Sequence, residues 1–207
     1  MTSPLARTSR LSAAHRREVI IAAAIEQFAD HGFDAASMEE IAAAASVTKP
    51  IVYRHFQSKR SLYLDLLRDV GEQLTLAIET ATAAVDAPHD RLRAGVVAFF
   101  DFVLHHRSGY LLLFGGRGQQ DDEFQQVVDE IQLRIAELVA SRVSGVEDDT
   151  YRTFVSFALI GLAHGAARSY LLDIERNPSE RFRVRLAAKR AAQTTELLWS
   201  GMRNLST

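Results

Sequence analysis

Apolar residues recur along most of this chain at three- and four-residue intervals, the spacing of helices that turn one face to a core. From about residue 15, Ile20, Ile21, Ala24 and Phe28 share a face, with Arg17, Glu26 and Asp30 elsewhere. Gly32 is placed to stop that helix, and Phe33 to fold back on its last turn. Ser37-Met38-Glu39-Glu40 reads as a capping box, followed by an apolar stripe of Met38, Ile41, Ala42 and Ala45 on a short helix. Ser46-Val47 then forms a tight turn, and Thr48 is positioned as the N-cap of a further helix with Pro50 in its first turn. Val47, Val52 and Phe56 are expected to point inward. Thr48, Lys49, Ile51 and His55 are left outside, with Tyr53 and Arg54 at the margins.

The remaining pattern predicts longer helices. One runs from Ser58 to about residue 85, interrupted only by Gly71, up to a break at Ala87-Pro88-His89-Asp90. Others are expected over about 91–106, over a short stretch ending at Gly115-Gly116-Arg117-Gly118, and over about 122–143, 148–175 and 179–205. No convincing strand or internal repeat appears. The fold class is therefore all-α with about nine helices: a three-helix N-terminal unit over 1–60, preceded by a basic arm over 1–14, and a larger helical unit over 61–207.

Composition narrows the chemistry. Four prolines and eleven glycines in 207 residues suit helices, and the absence of cysteine excludes disulfides and thiolate sites. The N-terminus lacks an apolar signal core, and no stretch approaches eighteen uncharged apolar residues, so a cytoplasmic location without membrane contact is expected. Net charge is −2, but residues 1–60 hold eight basic against six acidic residues and the rest sixteen against twenty. A basic footprint on an acidic chain suits a site-specific DNA binder and equally an ordinary solvated face. The seven histidines show no metal-binding spacing, and no Ser-His-Asp context is recognisable, so neither a metal, a cofactor nor an enzyme activity is expected. The glycine-rich 115–118 stretch lacks the strand, helix and lysine of a phosphate loop.

Two short helices joined by a tight turn, the second exposing polar and small side chains, form a DNA-reading unit. A plain helical hairpin has the same outline but gives no reason for Tyr53, Arg54, His55 and Lys59 to cluster. Residues 17–67, REVIIAAAIEQFADHGFDAASMEEIAAAASVTKPIVYRHFQSKRSLYLDLL, go further. The block AAxxxFxxxGFxxxSMxxIAxxA followed by VTKPxVYRHFxSKxxLY resembles the N-terminal domain of bacterial TetR-family regulators. Ser46 departs from the glycine usual in that turn, and a left-handed serine at modest cost is expected.

The resemblance implies a homodimer that binds double-stranded, palindromic operator DNA, usually as a repressor, and is released by a small molecule. Carried over by position, Ser37, Tyr53, Arg54, His55 and Lys59 would meet phosphates. Thr48 and Lys49 would stand at the mouth of the recognition helix, Lys49 reading guanine, and Pro50 and Ile51 would touch thymine methyls. Arg7 and Arg10 could reach the minor groove or belong to an unstructured tail. The last two long helices would pair with a partner's through Gly161, Gly165, Leu186, Leu197, Leu198 and Met202. Middle helices would enclose an apolar or aromatic effector, with Phe99, Phe102, His106, Tyr110, Phe114 and Phe157 as wall candidates beside Phe100 and His105. Such a stripe also suits plain core. The adjacent histidines diverge by about 100° and cannot both face one ligand.

Overall fold

A computed structural model describes residues 12–115, 121–142 and 148–202. Arg7, Arg10, most of the glycine stretch, the 144–146 turn and the last three residues of the expected final helix lie outside the described residues. Among those described there are nine helices and no strand: α1 Ala13–Ala35, α2 Met38–Ala44, α3 Lys49–His55, α4 Lys59–Ala83, α5 Pro88–His105, α6 Arg107–Phe114, α7 Asp122–Ala140, α8 Asp149–Arg176 and α9 Glu180–Met202.

The local signals act as expected, with small displacements. The Ser12 side chain accepts from His15 N, so α1 starts two residues earlier than the periodicity suggested. Gly32 leaves helical geometry at φ 79°, ψ 171°, a conformation open to glycine, and bends the chain at the end of α1. Phe33 then packs on Phe28, Tyr63 and Phe124, with ring centroids 6.2, 5.2 and 4.7 Å away. At α2 the Glu40 amide donates to Ser37 Oγ (3.2 Å) and the Ser37 amide to the Glu40 carboxylate (3.0 Å), a complete capping box. Ser46 takes φ 53° in the turn to α3 and is the only described non-glycine residue with positive φ.

α1–α3 form a compact head, and α4 runs from it into the larger body as one continuous helix. Besides the run of α4 and the Phe33–Phe124 packing, polar contacts tie head to body. α6 packs along α1, where the Ser108 hydroxyl donates to Glu26 (2.7 Å). Arg60, at the start of α4, donates to both Asp121 oxygens and to Glu123 (2.7 Å each), its guanidinium 4.7 Å from the Phe124 ring centroid. In the body α4, α5, α7, α8 and α9 enclose the rest of the core.

α4 and α7 pack tightly at Gly71, where a Cβ would stand 2.5–2.9 Å from three side-chain atoms of Ile131. Gly71→Ala is expected to destabilise the fold by about 1–3 kcal/mol despite alanine's better helix propensity. Thermal unfolding checks this, and adding Ile131→Ala should recover part of the loss if the clash is the cause.

α8 departs from the expectation for membrane-like stretches. It is long and apolar enough to cross a membrane by length and composition, and only 33% of its most apolar stretch is buried within the chain. Arg168 interrupts that stretch, which is why a search for uncharged runs passes over it.

Candidate nucleic-acid interface and effector cavity

The head presents α3 on a firm base. Val52 and Phe56 are buried beneath it, with Ile20, Phe28 and Ile41 around them in the core, and the Arg17 guanidinium lies 5.4 Å over the Phe56 ring. Thr48 is the N-cap in extended backbone, but its side chain makes no capping bond. Thr48, Lys49, Pro50, Tyr53 and Arg54 are exposed. Ile51 and His55, expected outside, are half-buried: Ile51 packs against the core, while Tyr53 and Arg54 take the open face instead of its margins.

The electrostatics of this face are local. Lys49 Nζ pairs with Glu39 on α2 and lies 5.8 Å from the Tyr53 ring centroid. That contact raises the lysine's pKa and lowers the glutamate's. Both groups are largely in solvent, so the pair is weak and readily exchanged for a phosphate or base edge. Burial, then the nearby Arg54, Arg16 and Arg17, pushes His55 below the ordinary imidazole range. It is therefore a neutral ring at neutral pH.

Two expected phosphate contacts have other partners. Lys59 Nζ donates to the carbonyls of Phe33 (2.7 Å), Asp34 (3.2 Å) and Ala36 (2.9 Å), closing the corner between α1 and α2. An ammonium has three protons, and all three are engaged. The Ser37 hydroxyl donates to Glu40 (2.8 Å) while accepting the Glu40 amide. Sequence pattern identified both as head residues but could not distinguish a cap or corner clamp from a ligand contact.

In the body, a cavity of about 490 Å³ opens between α4, α5, α7, α8 and α9. Its wall is mainly aliphatic, including Leu74, Ile78 and Leu159, with Phe99, His164 and Trp199 as its aromatic members and Arg91 and Arg142 as its charged ones. Of the expected wall residues only Phe99 lines it. Phe102 and His106 stack on each other at 5.0 Å and face a separate groove against α1. Tyr110 and Phe114 stand behind His164, and Phe157 is 42% exposed on the outer side of α8. Leu198 and Met202, expected to face a partner, turn into the cavity wall, and Leu186 packs half-buried against the core. Gly161, Gly165 and Leu197 do lie on the open surface.

His164 was not singled out from sequence; it sat among small apolar residues with no spacing signal. Its ring lies 5.4 Å from Phe99 and 4.2 Å from Phe114, and its Nδ1 is 3.3 Å from the Tyr110 hydroxyl. Burial pushes its pKa down from 6.5 to about 4. A depressed histidine contributes stability that is complete above about pH 6.5 and lost as pH falls toward 4. The contribution is ~3 kcal/mol. Unfolding midpoints recorded from neutral pH to pH 4 should fall more steeply for the native chain than for His164→Phe, and parallel curves would contradict the assignment.

Residues 20–66 match the family described as "Bacterial regulatory proteins, tetR family", and residues 88–199 match "Tetracyclin repressor-like, C-terminal domain". The HTH-type transcriptional activator FasR of Mycolicibacterium smegmatis is 35% identical over 174 residues, covering 80% of this chain and 76% of FasR. A TetR-like transcriptional regulator from Rhodococcus sp. RHA1 has the same fold at TM-score 0.71 and 26% identity, covering 94% of this chain and 100% of its own. The Bacillus subtilis regulator FadR, solved in complex with stearoyl-CoA, shares the fold at TM-score 0.73 and 17% identity, covering 89% of this chain and 98% of its own. With a helix-turn-helix head on a helical body, and both parts matched in order, this chain belongs to the TetR family of DNA-binding transcription regulators.

Proposed function

We propose that the chain works as a homodimer on a palindromic operator and that an apolar effector in the body cavity changes its affinity for DNA. The observation that carries the DNA reading is the open face of α3, where Thr48, Lys49, Pro50, Tyr53 and Arg54 are exposed above the buried Val52 and Phe56. In this reading Lys49 leaves Glu39 to reach a guanine O6 or N7, and Pro50 and the exposed edge of Ile51 meet thymine methyls. The Thr48 hydroxyl, Tyr53 and Arg54 bind phosphates, with His55 as a neutral hydrogen-bonding neighbour. The Ser37 hydroxyl can join them by turning from Glu40. Near Lys59 the phosphate contact passes from the engaged ammonium to the Lys59 and Arg60 amides at the start of α4, the Ser61 amide being held by the Ser58 hydroxyl.

The dimer reading rests on α8. Phe154, Phe157, Gly161, Gly165 and Leu172 fall on the side opposite its buried residues, and Leu197 of α9 is also exposed. Apolar surface of this extent calls for a cover. A second copy supplies one and brings a second head to a two-fold site. The division of labour follows: residues 1–60 read DNA, and residues 61–207 hold the effector and the partner in the cytoplasm.

The cavity's volume is within the range of small-molecule sites. The complex of FadR with stearoyl-CoA gives a precedent for an acyl chain in this fold. A regulator of this kind represses when its operator blocks a promoter, which is the commoner expectation; FasR is named a transcriptional activator. The proposed contact set makes operator binding steeply dependent on salt. With six to ten phosphates engaged by a dimer, affinity should fall by roughly 10³–10⁵ between 50 and 200 mM salt. Anisotropy titrations check the slope, and an affinity insensitive to salt would contradict the contacts.

A further inference from the structure

The cavity has a mainly aliphatic wall whose neutral polar members are Thr82, with its hydroxyl on the Ile78 carbonyl, Trp199, and one group set among aromatic rings. That group is His164, and its hydrogen bonding is asymmetric. Burial lifts the Tyr110 hydroxyl's pKa to about 12, so it keeps its proton. Among the described residues its one polar partner is His164 Nδ1, at 3.3 Å. With no other acceptor among the described residues, the hydroxyl can use its proton only on Nδ1, and in that arrangement the ring proton sits on Nε2. Phe99 and Phe114 confine the ring's other sides, at 5.4 and 4.2 Å. His164 belongs to the cavity wall, and Nε2 is neither bonded to a described residue nor among the fully buried unpartnered atoms. Nε2–H is then a donor without a described partner on a residue of the cavity wall.

We infer that His164, oriented by Tyr110, is the specificity residue of the cavity and selects effectors that carry an uncharged carbonyl on an apolar body: a ketone, ester or thioester. This rests on reading the cavity as the effector site. An uncharged carbonyl needs one donor, which Nε2–H supplies, and its flanks need apolar contact, which Phe99, Leu159 and Ile160 supply. A carboxylate is poorly served at the same point, because a neutral imidazole offers one proton and no compensating charge. The cations of the wall lie elsewhere. Arg91 is eight residues before Phe99 on α5, about 12 Å along the helix axis. Its guanidinium already donates to the carbonyls of Val85 (2.6 Å) and Asp86 (3.0 Å). Arg142 follows the last turn of α7. An anionic end and a neutral carbonyl would thus be recognised at different places on one ligand.

The test uses the chain's single tryptophan, Trp199, which lines the cavity and reports occupancy by fluorescence. Straight-chain methyl ketones of increasing length are titrated against the fatty acids of matching length, on the native protein and on His164→Phe and Tyr110→Phe. The ketones should bind the native protein and lose about tenfold in affinity in His164→Phe, with a smaller loss in Tyr110→Phe, while the fatty acids change little. The carbonyl stretch of a ¹³C-labelled ketone should shift to lower frequency in the native complex and return toward its apolar-solvent value in both variants. If His164→Phe does not fold, Tyr110→Phe with its infrared shift carries the test alone. Ketones that bind the native protein and the variants equally, with an unshifted carbonyl, would overturn the selectivity and leave the cavity as an effector site. Silence of Trp199 toward both series would overturn the effector reading and this inference with it.

Discussion

Lys49→Ala combined with Tyr53→Phe is expected to lower operator affinity by about a hundredfold or more while leaving thermal unfolding nearly unchanged. One change removes a candidate base reader and the other a single phosphate-facing hydroxyl, and a dimer loses each twice. Both side chains are exposed, and neither contributes to the core beneath α3. Lys49→Ala gives up its solvent-exposed pair with Glu39 and its place over the Tyr53 ring, and Tyr53→Phe keeps the ring itself. The stability of the head depends instead on Val52, Phe56 and the Lys59 clamp. Anisotropy with a labelled operator, beside a melting curve of each protein, separates the two effects. A loss below threefold would remove α3's open face from the interface.

The second large effect concerns α8. Gly161 and Gly165 have nothing within 4 Å of where a Cβ would stand, so a side chain there meets no obstacle within the chain. Replacing glycine inside a helix also raises helix propensity, by up to ~1 kcal/mol. Gly161→Arg should therefore leave the isolated subunit folded, or slightly more stable, yet block close approach of a second α8. The expected result is a monomer by sedimentation at micromolar concentration, with affinity for a palindrome reduced to that for one half-site. A dimer that persists with full affinity would show that this face is not the partner surface. The same substitution at Gly71 would clash with Ile131 at once, which is how the structure separates two glycines that look alike in sequence.

Much of the head was legible because its signals are local. Ser37 and Glu40 cap α2 through bonds spanning three residues, and Ser46 takes the left-handed turn its position demands. Side-chain partners across the head were not legible. Lys59 reaches carbonyls more than twenty residues away, and no spacing rule reports that. In the body, periodicity located the helices but not the neighbour each face meets. The aromatic run from Phe99 to Phe114 is divided among the cavity, the groove on α1 and a second layer behind His164. Leu197 and Leu198, adjacent in sequence, fall on opposite sides, one to solvent and one to the cavity. That division depends on how five helices close around a space, which is set by tertiary packing.

The most direct test of the central claim is selection of bound duplexes from a random DNA pool by the purified protein. The account predicts enrichment of a palindrome with two equal half-sites, lost when Lys49→Ala with Tyr53→Phe is used in its place. Failure to enrich any sequence at low and moderate salt, with and without cell extract to supply an effector, would contradict it.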